Sequence, residues 1–455
     1  MAALIGGCAT SDSQSVLLSN SHSQGTDDET ILKPLPVLPS GVKNLTLSDA
    51  LDLALARNPE LATGSYEIKT AKAQIGQAKV FSNPELEIEL EEYNRDRDGF
   101  NSAALSAKIS QRIELGGKRK WRVETAGVKF DIAGRDYESK RLDVISETTK
   151  RFWAVDFAIQ RLDLAQETIR LVEKTTEAVN VRVEAGKESP LHKSKVAAEL
   201  ELARLEIHQA KTDLDLAKKM LAFMWGTEKT GFHIKVDNSD TVSGELPSFD
   251  VLHKHLASNP DLKCCDDDLK LATAVLSAEK AECIPDIKAS AGVEHSKKDG
   301  SEVWKFGIEV PLPLFNRNQG NIASARNMVE SVKAERKAVK DALVAKLVEV
   351  YAKISLVQSR EITLRRKVMP AVEAAFSGAH EGYSRGKLGL LDMLDAKKSL
   401  LETRGALVDA RNDYHIALAD IQRLTGMNLK NEETCGADCG CSECSDSGQI
   451  KGEQK

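Results

Sequence analysis

Four cysteines crowd the C-terminal tail as Cys435-x3-Cys439-x-Cys441-x2-Cys444, with Asp438 and Glu443 among them. Soft thiolates at this spacing suit Cu(I), Ag(I), Zn(II) or Cd(II). In an oxidising compartment the same four residues pair as two disulfides, so the pattern carries two chemistries. A second thiol group, Cys264-Cys265 followed by Asp266-Asp267-Asp268, falls with Cys283 on predicted helices, where cysteine ordinarily serves as a small buried residue. The histidines, His253, His255 and His295 among them, are scattered, and no HExxH or nucleophile elbow occurs. Gly116-Gly117-Lys118 lacks the upstream glycine and the following Ser or Thr of a phosphate-binding loop. These residues offer ligands but no catalytic constellation. No enzyme activity and no required cofactor are expected, apart from a soft metal ion at the tail.

Composition narrows the partners. The 455 residues carry a net charge of −6 with acids and bases interleaved, so no nucleic-acid partner is expected. No run approaches the roughly 20 apolar residues of a membrane-spanning helix, so any membrane crossing must use strands. Leu4-Ile5-Gly6-Gly7-Cys8 is like the close of a bacterial lipoprotein signal ending at an acylated Cys8, although the charged and apolar regions of such a signal do not precede it. Residues 1–46 otherwise read as an extended tether rich in Ser, Asp and Thr, with Pro34, Pro36 and Pro39 close together, and residues 430–455 as a flexible Cys-rich tail.

The elements that must position these residues come in two copies. The turns VEAGKESPL (Val183 to Leu191) and YSRGKLGLL (Tyr383 to Leu391) each join a long helical stretch to a heptad helix. Leu200, Ala210, Ala217 and Gly226 recur 200 residues later as Leu400, Ala410, Ala417 and Gly426. The chain is a tandem duplication, with copies at 47–246 and 247–429. Each copy opens on a short helix that ends at Asn-Pro (Asn58-Pro59 and Asn259-Pro260), with Ser48 the expected cap of the first. Segments 118–226 and 319–426 read as coiled-coil hairpins. Lys118 to about Ala185 holds no proline and makes a rod of about 100 Å. After the first turn, Val196, Leu200, Ala203 and Ile207 step by fours and threes.

Between the helices the period changes to two. Strands are expected at about 85–93 and 103–113 in the first copy and at about 286–295 and 303–312 in the second. Leu86, Ile88 and Leu90 share one face, with Glu85, Glu87 and Glu89 on the other. Trp304, Phe306 and Ile308 oppose Lys305 and Glu309 in the same way. A soluble hairpin laying one face on a helix explains a lone pair of such strands. Four strands near bilayer-crossing length cannot close a barrel, whose smallest form needs about eight, so a membrane wall requires several chains to share it. Two chains supply an eight-strand barrel filled by its side chains; three supply twelve strands and a lumen in which the inner charges stay solvated.

This order of elements, given twice, resembles the TolC-like outer membrane factors. The residues that carry the resemblance are Asn58-Pro59-Glu60-Leu61, Gln111 to Arg119, Pro311 to Gly320, and Tyr383-Ser384-Arg385-Gly386 with Leu391-Asp392. It covers residues 45–428, and the LGGKR and LPLFNRNQG loops are most similar to the heavy-metal branch, which serves cobalt-zinc-cadmium and copper-silver RND pumps. The resemblance implies an α+β membrane protein of tandem repeats. It would be a homotrimer with a twelve-strand transmembrane β-barrel, four strands per chain, in the outer membrane of a Gram-negative bacterium, continued by a twelve-helix periplasmic α-barrel. The implied function is the exit duct of a tripartite efflux system for heavy-metal cations. Its partners would be a periplasmic adaptor (membrane fusion protein), an inner membrane RND transporter and outer membrane lipid. Drug or protein export through such a duct is the alternative, as is a soluble coiled-coil metal-binding interaction protein. The resemblance favours acylation of Cys8. It places gate and adaptor-facing tips at Gly186, Lys187 and Leu191 and at Gly386, Lys387, Leu388, Leu390, Asp392 and Asp395. The two aspartates fit an acidic ring for passing cations or ordinary helix-start carboxylates.

Overall fold

The computed structural model describes residues 44–91, 104–236, 246–296 and 300–427; Cys8 and the tail thiols Cys435, Cys439, Cys441 and Cys444 lie outside them. The first copy runs β1 (Asn44–Leu45), α1 (Leu47–Arg57), α2 (Pro59–Ala78), β2 (Glu85–Glu91), β3 (Ala104–Ile113), α3 (Lys118–Glu184), α4 (Pro190–Ala222) and β4 (His233–Ile234). The second runs α5 (Phe249–His255), α6 (Pro260–Ala281), β5 (Ile287–Ser296), β6 (Ser301–Glu309), α7 (Gln319–Thr363), α8 (Met369–Ser384) and α9 (Leu390–Thr425).

Capping residues set the helix starts. Thr46, not Ser48, caps α1: its hydroxyl accepts from the Asp49 N–H at 3.2 Å, while the Asp49 carboxylate accepts from the Thr46 N–H at 3.0 Å. This reciprocal box satisfies two end donors where Ser48 would satisfy one. In α2 and α6 the caps are Asn58 and Asn259, which accept from the Glu60 and Asp261 N–H groups at 2.9 and 2.8 Å. Pro59 and Pro260 follow at the position where a missing N–H is harmless. The two buried Asn amides donate to the Met224 and Leu424 carbonyls at 3.1 and 2.9 Å. Each cap thereby ties the head of its copy to the foot of that copy's heptad helix.

The four long strands form one antiparallel sheet in the order β2-β3-β5-β6, joining the copies through β3 and β5. Its register aligns Leu86, Ile109, Ala291 and Phe306 across one face, and Glu87, Lys108, Gly292 and Lys305 across the other. Ion pairs lace the second face: Lys108 to Glu87 at 3.2 Å, Lys288 to Glu85 at 2.8 Å, and Lys305 to Glu294. The apolar face stays bare. Leu86, Ile88, Trp304, Phe306 and Ile308 are 65 to 78% exposed, so the helix cover that a soluble hairpin requires is not seen among the described residues. β6 spans 301–309 instead of 303–312, because Pro311 and Pro313 cannot donate to the ladder.

Each return from sheet to helix passes through a left-handed residue, Gly117 (φ 74°) before α3 and Asn318 (φ 59°) before α7. Asn tolerates this region better than other residues with a Cβ, which explains its place where the first copy has glycine. At the first junction Asp286 accepts from Arg112 Nε at 2.7 Å and from the Leu115 N–H at 3.2 Å, and pairs with Lys118 at 2.9 Å. Burial alone would raise this carboxyl, but the bonds from Lys118 and Arg112 outweigh it and hold Asp286 below the ordinary carboxylate range. Burial likewise disfavours the Lys118 ammonium, and its bonds to Asp286 and Glu282 overcome that and raise it.

α3 is an unbroken helix of 67 residues, about 100 Å long. It packs against α2, α4, α6 and α9. Its counterpart is interrupted by a π turn, Leu364–Val368, between α7 and α8. Pro370 has no N–H for the Arg366 carbonyl and its ring would strike it; the widened turn absorbs both faults. Three apolar clusters hold the rods. One gathers Phe152, Trp153, Leu221 and Trp225 beside α1, another Leu347, Ile354, Tyr414 and Ile421 beside α5, and the third lies at the far tips.

Candidate functional site

α3 and α8 end alike. Gly186 and Gly386 both adopt φ of 70°, and the N–H groups of Lys187 and Lys387 reach back to the Arg182 and Gly382 carbonyls, each at 2.8 Å. This six-to-one closure needs a left-handed residue, which glycine supplies without a Cβ clash. The side chains around the two closures differ. At the first tip Arg182 Nε lies 3.5 Å from Glu188, whose other oxygen meets His192 Nδ1 at 2.5 Å. At the second, the positions of Arg182 and Glu188 are taken by Gly382 and Leu388. Leu388 lies on the glycine so closely that a Cβ there would sit 2.6 Å from its Cδ1.

The two tips are joined. The Arg182 guanidinium stands 4.7 Å from the Tyr383 ring centroid, and its Nη1 donates to the Tyr383 carbonyl at 3.4 Å. Beneath this clasp Val179 and Val196 of the first hairpin pack with Tyr383, Leu390, Met393 and Leu394 of the second. One level down, buried Lys397 pairs with Glu199 at 2.8 Å. Burial and then the nearby Glu188 charge raise the Tyr383 phenol, against the opposing effect of Arg182. The hairpins therefore meet through an apolar core with charged links above and below.

Most of the expected tip residues are exposed: Gly186, Lys187, Leu191, Gly386, Lys387, Leu388, Asp392 and Asp395. Leu390 is not. It is 2% exposed, because it opens the heptad seam of α9 one turn before Leu394 and belongs to the tip core instead of an adaptor-facing surface. Asp392 accepts from the Gly389 N–H at 3.0 Å and so serves as a helix cap. Asp392 and Asp395 also line a groove of about 910 Å³ between α4 and α9, shared with Lys195, Glu199 and Lys398. Sequence reasoning passed over Arg182, His192 and Lys397, and gave Glu188 and Tyr383 no role beyond marking the two turns. The available signal was the repeat offset, which retains the glycines while charge and size change at 182, 183 and 188.

Cys264 and Cys265 are half-buried, not buried, and Cys283 lies in the turn after α6. The reason is that α6 turns this stretch toward a charged seam with α3 and α7, where Arg336 pairs with Asp266. Burial, together with the Asp136 carboxylate that accepts the Cys264 S–H at 3.3 Å, pushes that thiol up to about 12. A thiol so protonated is a poor resting ligand. No group of three or more His, Cys, Asp or Glu side chains able to hold a metal occurs among the described residues. No described helix is long and apolar enough to cross a membrane. The apolar face of the sheet is exposed.

The family model for outer membrane efflux proteins matches residues 50–227 and 251–427, which are the two copies. The chain belongs to the outer membrane efflux protein family. This efflux protein is 29% identical over 393 residues to the cobalt-zinc-cadmium resistance protein CzcC of Cupriavidus metallidurans, covering 86% of its own chain and 93% of the relative. It is 23% identical to the cation efflux system protein CusC of Escherichia coli, covering 78% of the chain and 81% of CusC. Its fold is that of a crystal structure of CusC, with a TM-score of 0.74 at 19% identity over 83% of this chain and 91% of the other.

Proposed function

We propose that the efflux protein is the outer membrane exit duct of a tripartite system that expels heavy-metal cations, docked through a periplasmic adaptor to an inner membrane RND transporter. The observation that carries this reading is the sheet, four strands with one bare apolar face and one charged face. It cannot close on itself. Three chains supply a twelve-strand barrel, with the rows of Leu86 and Phe306 toward lipid and the ion-paired rows toward water. Exposed stripes on α4 (Leu202, Leu205, Leu216) and α7 (Met328, Val348, Leu356) favour the same trimer, since they give a twelve-helix barrel its seams between copies.

The likeness to proteins named for cobalt-zinc-cadmium resistance and cation efflux supports the cargo. The tips, with Lys187, Leu191, Lys387 and Leu388 exposed, are the adaptor contact and gate. Cys8 is the acylation position, and Cys435, Cys439, Cys441 and Cys444 are the ligands for a soft metal ion. Detergent-extracted protein is expected to run as a trimer and to conduct ions across planar bilayers. Deleting its gene is expected to lower tolerance of cobalt, zinc or cadmium. Monomers without conductance would sink the duct. Normal metal tolerance with lost drug tolerance would keep the duct and change its cargo.

A further inference from the structure

We infer that the seam between neighbouring chains repeats the register of the seam between the two copies of one chain, with three ion pairs exchanged for apolar contacts. Phe223 of one chain meets Val344 of the next, Met220 meets Tyr351, and Leu205 meets Ile362. This rests on the trimer proposed above.

Within the chain, α3 packs against its own α2 and α4 and also against α6 and α9 of the other copy. Its counterpart α7 packs against its own α6 and α9, while α4 packs chiefly on α3. The copies are built alike, so the flank of α7 that matches the α6 and α9 side of α3 fits the α2 and α4 of another chain. The register follows from fixed points of the repeat. Gly117 and Asn318, the left-handed residues before α3 and α7, are 201 residues apart, as are the caps Asn58 and Asn259. Gly226 and Gly426, which close α4 and α9, are 200 apart.

Inside the chain Arg423 pairs with Asp143, Lys150 with Asp420 at 2.5 Å, and Arg161 with Asp409 at 2.6 Å. Carried over by these offsets, the same positions hold Phe223 and Val344, Met220 and Tyr351, and Gln209 and Ile362. Leu205 stands for Gly405, where an added Cβ would lie 3.6 Å from Arg161, so Leu205 falls on Ile362. In the single chain Leu205, Met220 and Phe223 are 62, 40 and 48% exposed. One turn nearer the sheet the exchange runs the other way. Hydrogen-bonded Ser139 and Asp261 become Lys340 and Glu60, opposite charges left exposed in the single chain. A second copy of this chain matches the face in both apolar area and charge. Copies of one chain are tethered, so ion pairs need only fix their register; separate chains need the attraction that apolar burial supplies.

The test places the photocrosslinker p-benzoylphenylalanine at Phe223 and, separately, at Met220, so that one probe stands if the other variant fails to fold. The full chain is extracted in detergent and irradiated, and adducts are mapped by mass spectrometry. Products of two- and three-chain mass are expected, joined at α7 within a turn of Val344 and of Tyr351. Adducts to other parts of a second chain overturn the register while the duct stands. Trimers with no adduct between chains overturn the seam. Monomers throughout sink the duct and the seam with it. At ~1 M sodium chloride, which screens exposed charges, unirradiated trimer is expected to persist. Dissociation there overturns the apolar character of the seam.

Discussion

The two hairpin tips share a backbone and part company in chemistry. Both close on a glycine at φ 70° with the same six-to-one bond. Around that closure the first tip carries Arg182, Glu188 and His192, and the second carries Gly382 under Leu388. Duplication preserved the geometry because the left-handed turn accepts few residues. It left the side chains free to diverge, and the result is a clasp that runs one way. Arg182 reaches across to Tyr383, and nothing at Gly382 can reach back. This cation–π contact and this bond to a carbonyl lie above the apolar core and the Lys397–Glu199 pair that also join the tips.

The largest expected effect breaks the core that both tips share. Leu390→Asp puts a charge into the apolar cluster of Val179, Val196, Met393 and Leu394, and is expected to cost more than about 3 kcal/mol. Leu191→Asp, at a residue 70% exposed, is expected to stay within about 0.5 kcal/mol. Thermal unfolding of the two variants in detergent checks this, and equal losses would refute the division between core and surface. Gly382→Ala sharpens the contrast further. Its methyl overlaps Leu388 and is expected to cost about 1–3 kcal/mol, largely restored by Leu388→Ala.

The junctions at the other end of the rods offer a parallel comparison, one held by Asp286 and the other by Asn318, which does not titrate. Asp286→Asn is expected to cost about 1–3 kcal/mol at neutral pH. Because the folded-state value of Asp286 is depressed, its contribution is present above the ordinary carboxylate range and is lost as pH falls through that lowered value. Acid melting curves of wild type and variant should therefore converge at low pH. Curves that stay parallel would show that Asp286 acts by shape alone. The smallest effect is expected from Arg182→Met, which keeps bulk and removes the clasp at about 1–2 kcal/mol. It should raise the open probability in planar bilayers, whereas Leu388→Met should leave that unchanged.

Much of the fold was legible beforehand. Period-two alternation marked all four strands, and the Asn-Pro pairs marked the helix heads whose caps the structure displays. The π turn at Leu364–Val368 went unread, although Pro370 was the local cause, because a proline in a long helix can equally kink it or end it. Thr46 displaced Ser48 as the cap of α1 because the reciprocal bond with Asp49 depends on where the chain enters the helix. Leu390 looked like a tip residue by its place in the turn, and the heptad phase of α9 turned it inward.

What the sequence determined by itself is local. Periodicity, proline placement and the repeated glycines depend on neighbours a few residues away, and they specify strands, rods and turns. What only the tertiary structure decided is which of two like segments faces which. The offset of 200 residues pairs the tips and shows where their side chains differ, but not which residues meet. Packing the two hairpins together is what brings Arg182 of α3 to Tyr383 of α8 and Glu199 of α4 to Lys397 of α9. Such contacts join residues about 200 apart, and no local preference encodes a partner at that distance.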